Sequence, residues 1–208
     1  MARRNDHSKD ELQRLALATV KDFLNLYPSQ DLSLRKVAKL IGYSPATIIN
    51  CFGSYGDLLL AANAETLDEL HLLSNVAVRE EVYPQVALRK LARIQLGFAR
   101  KYPHRWQLAF EHRIPVHKAL PEWHQMRIDR LFALFTEQLS RIEGRKKLQD
   151  IHIASRVIWA GVHGICLLAA GGGVISEKHT SGEQMIDSLL DNYLKSWVSN
   201  GQLSTTTS

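Results

Sequence analysis

The stretch "DLSLRKVAKLIGYSPATIINCFGS", residues 31–54, leaves the chain little freedom. Ser33 and Ser44 each stand where a hydroxyl can cap a helix start, Gly42 can supply a left-handed stop, and Pro45 suits a first helical position because its missing N–H costs nothing there. Two short helices must therefore meet at an angle. Leu34, Val37, Ala38 and Ile41 fall on one face of the first. Crossing helices need a small residue at the contact, a glycine in the turn and an aliphatic anchor on the second helix. Ala38, Gly42 and Ile48 supply these at offsets of four and six. Pro45, Ala46, Ile49 and Asn50 then face outward, as residues entering a major groove would. A plain helical hairpin inside a bundle shares the same glycine and apolar spacing, so the spacing alone leaves both readings open.

Helical periodicity continues on either side, with no run of strict apolar alternation, and the fold class expected is all-α. Ser8 and Glu11 fit a capping box ahead of a lead helix whose buried face reads Leu12, Leu15, Ala16, Thr19, Phe23 and Leu26. Ser54 and Asp57 have capping-box spacing before a fourth helix, and Thr180 and Glu183 before the last. The longer helices are expected at about 84–101, 104–112, 121–141, 147–171 and 180–199. The glycine triplet 171–173 lacks the Lys-Ser/Thr of a phosphate loop and reads as a helix terminator. Domain limits are expected at 1–57, 58–199 and a disordered tail, 200–208.

Composition narrows function by exclusion. The net charge of +5 is spread along the chain, since residues 1–60 hold eight Lys/Arg against six Asp/Glu, or 8 − 6 = +2. Charge therefore names no partner. The polar start and the absence of an unbroken apolar run of about 18 residues point to a cytoplasmic protein with no membrane role. Cys51 and Cys166 are expected as free thiols. His104, His112, His117 and His124 have intervals of eight, five and seven, not the i, i+4 pairing of helical ligands, so no metal and no cofactor are expected. No GxSxG, HExxH or paired-carboxylate arrangement supports an enzyme.

The segment from Leu12 to Leu70 resembles the N-terminal domain of TetR-family transcriptional regulators: a lead helix, a helix-turn-helix, then a "TxxxxFxSxxxLL" pattern carried by Thr47, Phe52, Ser54, Leu58 and Leu59. The resemblance implies that Arg35, Pro45, Ala46 and Asn50 meet base edges of a double-stranded operator. Ser33, Lys36, Lys39, Thr47 and Tyr55 would touch phosphates, with Arg3 and Arg4 as a basic arm. Ile49 stands where the family usually has tyrosine, Tyr55 where it has lysine and Cys51 where it has histidine. Isoleucine can still contact a thymine methyl, but fewer cations imply a shallower salt dependence.

Such regulators couple a small-molecule pocket to the separation of two DNA-reading heads. In "RVIWAGVHGICLLAAGGG", Trp159 and His163 are four apart on one helix face, and Ala160, Gly161 and Gly164 allow close approach of another helix. The segment resembles the C-terminal domain type marked by a Trp and then His-Gly. Phe98, Tyr102, Trp106, Phe110, Trp123, Phe132 and Phe135 would converge on the same cavity, or else form ordinary core. His163 needs a partner, which a ligand oxygen, a carbonyl or Glu111 would supply. The resemblance implies a homodimer through 147–171 and 180–199 and repression released by a mainly apolar small molecule. The alternative is a small-molecule binding protein or helical enzyme that has lost DNA binding, for which Ile49 and Tyr55 are the best support.

Overall fold

The computed structural model describes residues 7–111, 119–142, 147–170 and 180–202, with side chains for all of these except 111 and 199–202. Among the described residues there are nine α-helices and one turn of 3-10 helix. They are α1 (Lys9–Leu26), α2 (Leu34–Ile41), α3 (Pro45–Phe52), α4 (Tyr55–Val78), α5 (Pro84–Lys101), α6 (Pro103–Glu111), α7 (Glu122–Ser140), α8 (Leu148–Ala170) and α9 (Gly182–Gln202). The expected all-α architecture with an N-terminal helix-turn-helix is what the chain forms. Segments 171–173 and 203–208 lie outside the described residues, as do Arg3, Arg4, His112 and His117.

The chain divides into two compact units. The first comprises Met1–Leu67 and Tyr102–Leu120, the second Asp68–Lys101 and Pro121–Ser208. Helix α4 thus contributes its first half to one unit and its second half to the other. In the first unit α1, α2 and α3 pack on one another, while α6 packs on α1. Their shared core includes Ala16, Val20, Leu24, Val37, Ala38, Ile48, Leu58 and Leu108.

Local chemistry explains the helix limits. Ser8 and Glu11 form the reciprocal capping box, with Ser8 N–H donating to the Glu11 carboxylate at 2.7 Å and Glu11 N–H donating to Ser8 Oγ at 3.3 Å. The buried stripe of α1 is Leu12, Ala16, Val20, Phe23 and Leu24, whereas Leu26 is 70% exposed. At 100° per residue this stripe is rotated about 60° from the expected one, toward Val20 and Leu24. Leu15 and Thr19 are left half-buried at its edge.

Of two other caps, one pairs where expected and one differs. Asp57 N–H donates to Ser54 Oγ at 3.0 Å, and the Asp57 carboxylate accepts from the Ser54 hydroxyl at 2.6 Å. The last helix starts one residue later than read: Ser181 and Gln184 form the box, at 2.8 and 3.2 Å, in place of Thr180 and Glu183. Glu183 is instead committed to Arg100, at 2.5 Å.

In the second unit α5, α7 and α8 touch pairwise, and α9 packs on α5 and α8. Acidic residues of α9 meet arginines of α5: Asp187 takes Arg93 at 2.9 Å and Asp191 takes Arg89. Exposed pairs of this kind stabilise little individually, but their shared register fixes α9 antiparallel to α5. Gly161 faces α9 at a point where a Cβ would come within 2.7 Å of Leu189 Cδ2, so a side chain there would make Leu189 shift. Helix α8 has the length and mean hydropathy of a membrane-spanning helix, 23 residues and 1.6. It nevertheless carries Asp150, Arg156 and His163, and packs along three other helices.

Candidate nucleic-acid interface and ligand-binding cluster

The turn between α2 and α3 is built from backbone geometry. Gly42 adopts φ 75° and ψ 25°, a left-handed conformation that a Cβ would strain, and Tyr43 N–H closes the helix end on Ala38 C=O at 2.9 Å. Ser44 then caps α3 by accepting from Thr47 N–H at 3.1 Å, with Pro45 in the first turn. Gly53, at φ 93°, stops α3 after eight residues. The one fully buried side chain of this short helix is Ile48. Phe52 at its C-terminal end is partly buried against the same core, and the helix presents Pro45, Ala46 and Asn50 outward.

Pro45, Ala46 and Asn50 are exposed on that surface, Ile49 is half-buried, and Arg35 and Lys39 are exposed on α2. Three of the residues expected at phosphates are already engaged. Ser33 Oγ accepts from Lys36 N–H at 3.2 Å as the cap of α2. Lys36 Nζ donates to Asp31 C=O at 3.2 Å and lies 4.5 Å from the Phe23 ring centre. Thr47 Oγ1 lies 2.8 Å from Ser44 Oγ. Tyr55 packs against the core, its hydroxyl is buried with no partner among the described residues, and burial pushes its pKa up. In this geometry the hydroxyl does not face solvent, where a phosphate would lie.

Two contacts that sequence reasoning did not single out brace the helix-turn-helix. Tyr43, in the helix-turn-helix turn, has its hydroxyl 2.7 Å from His7 Nδ1, with the rings 6.0 Å apart. This contact ties the start of α1 to the turn. Gln13 Nε2 donates to Cys51 C=O at 2.9 Å, fastening α1 to the end of α3. Neither contact has a sequence signature, because each joins residues more than 30 positions apart through a single polar atom pair.

The nine residues expected around a ligand fall into two groups. In the first unit Trp106 is fully buried on α6, 4.5 Å from the Phe110 ring, and Tyr102 lies under the Arg105 guanidinium at 4.8 Å. In the second unit Phe132 of α7 meets Trp159 of α8 at 5.2 Å, and Trp159 stacks on His163 at 4.9 Å with the rings 6° from parallel. Phe98 is buried on α5 in that same unit, as is Phe135 on α7. Trp123, expected with them, is 40% exposed. Beside the Phe132 ring runs a groove of about 500 Å³ between α7 and α8, flanked by Thr136, His152 and Arg156.

Burial lowers the pKa of His163 and so favours the neutral imidazole, which has one donor and one acceptor. Burial pushes the Cys166 thiol up to about 12, which leaves it protonated and a poor nucleophile at neutral pH. Cys51 and Cys166 are both free. Among the described residues no three His, Cys, Asp or Glu side chains converge in a way that could hold a metal.

Residues 88–193 match the tetracyclin repressor-like C-terminal domain. The chain belongs to this TetR family of transcriptional regulators, whose members are not enzymes. Solved structures share the fold over nearly the whole length. A protein of unknown function from Rhodococcus sp. RHA1 is 21% identical, with a TM-score of 0.74 over 94% of this chain and 98% of that one. A TetR-like transcriptional regulator from the same organism is 16% identical, with a TM-score of 0.61 over 89% and 95%. The transcriptional regulator FadR from Bacillus subtilis, in complex with stearoyl-CoA, is 10% identical, with a TM-score of 0.64 over 86% and 96%. No curated protein matches the chain.

Proposed function

We propose that the chain is a cytoplasmic repressor that binds a palindromic double-stranded operator as a homodimer and leaves it when a small, mainly apolar effector enters the second unit. The observation that carries the DNA reading is α3 itself, anchored inward through Ile48 while Pro45, Ala46 and Asn50 point outward. Asn50 offers an amide able to pair bidentately with adenine, and Ile49 an aliphatic edge for a thymine methyl. Arg35 joins them at base edges. Lys39 is the cation best placed for phosphate, with Ser33, Lys36 and Thr47 contributing once their internal bonds are exchanged. Functionally, residues 1–57 read DNA and 58–199 receive the effector and dimerise.

Dimerisation is supported by an uncovered apolar stripe on α8. Ile153, Val157 and Leu168 are 53%, 47% and 37% exposed and share one face with Ala160 and Gly164. A Cβ at Gly164 would meet nothing within 4 Å, so a second copy can approach there. With α9 this makes a self-complementary surface of the kind a two-fold dimer requires. The Trp159–His163 stack, followed by Gly164, supports the Trp/His-Gly type of C-terminal domain. The effector switches the state only by binding the two head separations with different affinity.

Asn50→Ala is expected to cost about 1–3 kcal/mol on the operator and to relax preference at one base pair. Lys39→Ala should weaken specific and random duplex alike and reduce the salt slope by about 1. Titrations of both variants on both duplexes at several salt concentrations check this, and equal losses on specific and random DNA for Asn50→Ala would remove it from base reading. The buried Tyr55 hydroxyl and the internally bonded Lys36 favour a second reading, a small-molecule binding protein without useful DNA affinity. Absence of any salt-dependent shift by the unmodified protein would select it.

A further inference from the structure

In a helix-turn-helix the second helix enters the major groove by its N-terminal residues, and the sugar-phosphate backbones run along both edges of that groove. A backbone phosphate accepts hydrogen bonds and donates none, so the protein has to supply the donors. Several donors near the start of α3 are committed within the chain. The Ser44 hydroxyl caps α3 and lies 2.8 Å from Thr47 Oγ1. Lys36 Nζ donates to Asp31 C=O at 3.2 Å, and the Tyr55 hydroxyl is buried.

One polar pair at this end of α3 lies at the surface. Tyr43 directly precedes the Ser44 cap, and its hydroxyl is 2.7 Å from His7 Nδ1 across 36 positions of sequence. His7 is exposed and Tyr43 half-buried, with their rings 6.0 Å apart and inclined at 59°. The bond between them can run in two directions, and each leaves a donor over. When the phenol donates to Nδ1, the neutral imidazole carries its hydrogen on Nε2. When Nδ1–H donates to the phenol oxygen, the phenol keeps its own hydrogen to give. The pair therefore holds one donor in either tautomer, and two with a protonated imidazole. Rings already held together by this bond also lose less side-chain freedom on docking than two free side chains would.

We propose that His7 and Tyr43 together bind one backbone phosphate of the DNA per chain, beside the N-terminal end of α3. The proposal rests on reading α3 as the helix that enters the groove. Such a contact sets the register of α3 on the duplex and carries no sequence information, since a phosphate is the same at every base pair. It also makes the start of α1 part of the DNA-binding surface, through a bond to the turn and not through proximity in sequence.

The test uses the full chain with Tyr43→Phe, His7→Ala and, for comparison, Gln13→Met. The last breaks the other tie from α1, the 2.9 Å bond to Cys51 C=O, and leaves the His7–Tyr43 pair in place. A duplex selected by the unmodified protein from a random pool and a duplex of random sequence serve as probes. Tyr43→Phe and His7→Ala should melt within about 2 °C of the unmodified protein, because surface substitutions change stability little. Each should weaken binding to both duplexes alike, by about fivefold or more, as expected for a lost hydrogen bond to a charged group. Ethylation of single phosphates on the selected duplex then maps the contact. Interference should vanish at one and the same phosphate in both variants while the other signals remain, and Gln13→Met should keep every signal. A pattern unchanged in either variant, or different phosphates lost in the two, would overturn the assignment. So would a melting fall of about 4 °C or more in both, or losses confined to the selected sequence, since the bond would then only brace the turn. Failure of the unmodified protein to shift any duplex would take down the DNA reading and this contact with it. A normal shift with unchanged interference in the variants removes the contact alone.

Discussion

Ile48→Ala is expected to abolish DNA binding at concentrations where the unmodified protein is fully bound. Removing a buried isoleucine down to alanine costs about 2–5 kcal/mol, from lost transfer energy and from the cavity left behind. What makes the position severe is the shortness of α3, eight residues with Ile48 as its one fully buried side chain. Isolated helices of this length do not persist in water. With the anchor gone, α3 keeps the Ser44 and Gly53 caps, the bond from Gln13 to Cys51 C=O and the partly buried Phe52 at its C-terminal end. Local loss of α3 should therefore exceed global unfolding. Circular dichroism melts and duplex titrations on the same sample check this: a larger factor lost in DNA affinity than in folding stability is expected, whereas equal losses would mean that α3 and its unit unfold as one.

Trp106→Ala is the second large effect, and it separates two roles for one residue. The sequence pattern placed Trp106 with the ligand aromatics, but its side chain is fully buried in the unit that contains the helix-turn-helix. Phe/Trp→Ala changes in cores cost about 3–5 kcal/mol. Helix α6 is fastened to its unit by packing on α1 and by Asn63 Nδ2, which donates to Leu108 C=O at 3.0 Å. Loss of Trp106 should therefore lower the melting temperature and ligand-free DNA affinity together. A variant with normal ligand-free DNA binding and a changed effector response would return Trp106 to the ligand set.

The features legible in advance share a physical trait: they are local. Ser8, Ser33, Ser44, Pro45 and Gly42 act on backbone groups within four residues, so their spacing alone fixes three helix starts and a left-handed stop. The angular position of the α1 stripe was not legible, because Val20 and Leu24 are as apolar as Leu15 and Leu26, and tertiary packing chose between them. The start of α9 slipped by one residue because Thr180-Ser181 offers two capping hydroxyls, and Arg100, distant in sequence, claimed Glu183.

The candidate sites show the same division. The outward set on α3 followed from the crossing geometry, whereas the inward turn of Tyr55 and the bond of Lys36 to Asp31 depend on where the rest of the unit lies. In the second unit, Phe132, Trp159 and His163 come together as helical spacing and aromatic character suggested. The burial of Gln95 on α5 and His124 on α7, 1% and 3% exposed, carried no such signal. A glutamine or histidine on a helix looks like a solvated residue until the packing of neighbouring helices buries it.

Selection of duplexes from a random pool by the purified, unmodified protein tests the central claim most directly. Two isologously paired reading helices should recover an inverted repeat, with half-sites one helical turn of about 10 base pairs, or a multiple, apart. Retention of the selected duplex should weaken as salt rises, less steeply than for a relative with lysine at the position of Tyr55. Recovery of no preferred sequence, or of an asymmetric site bound by one chain, would contradict the account.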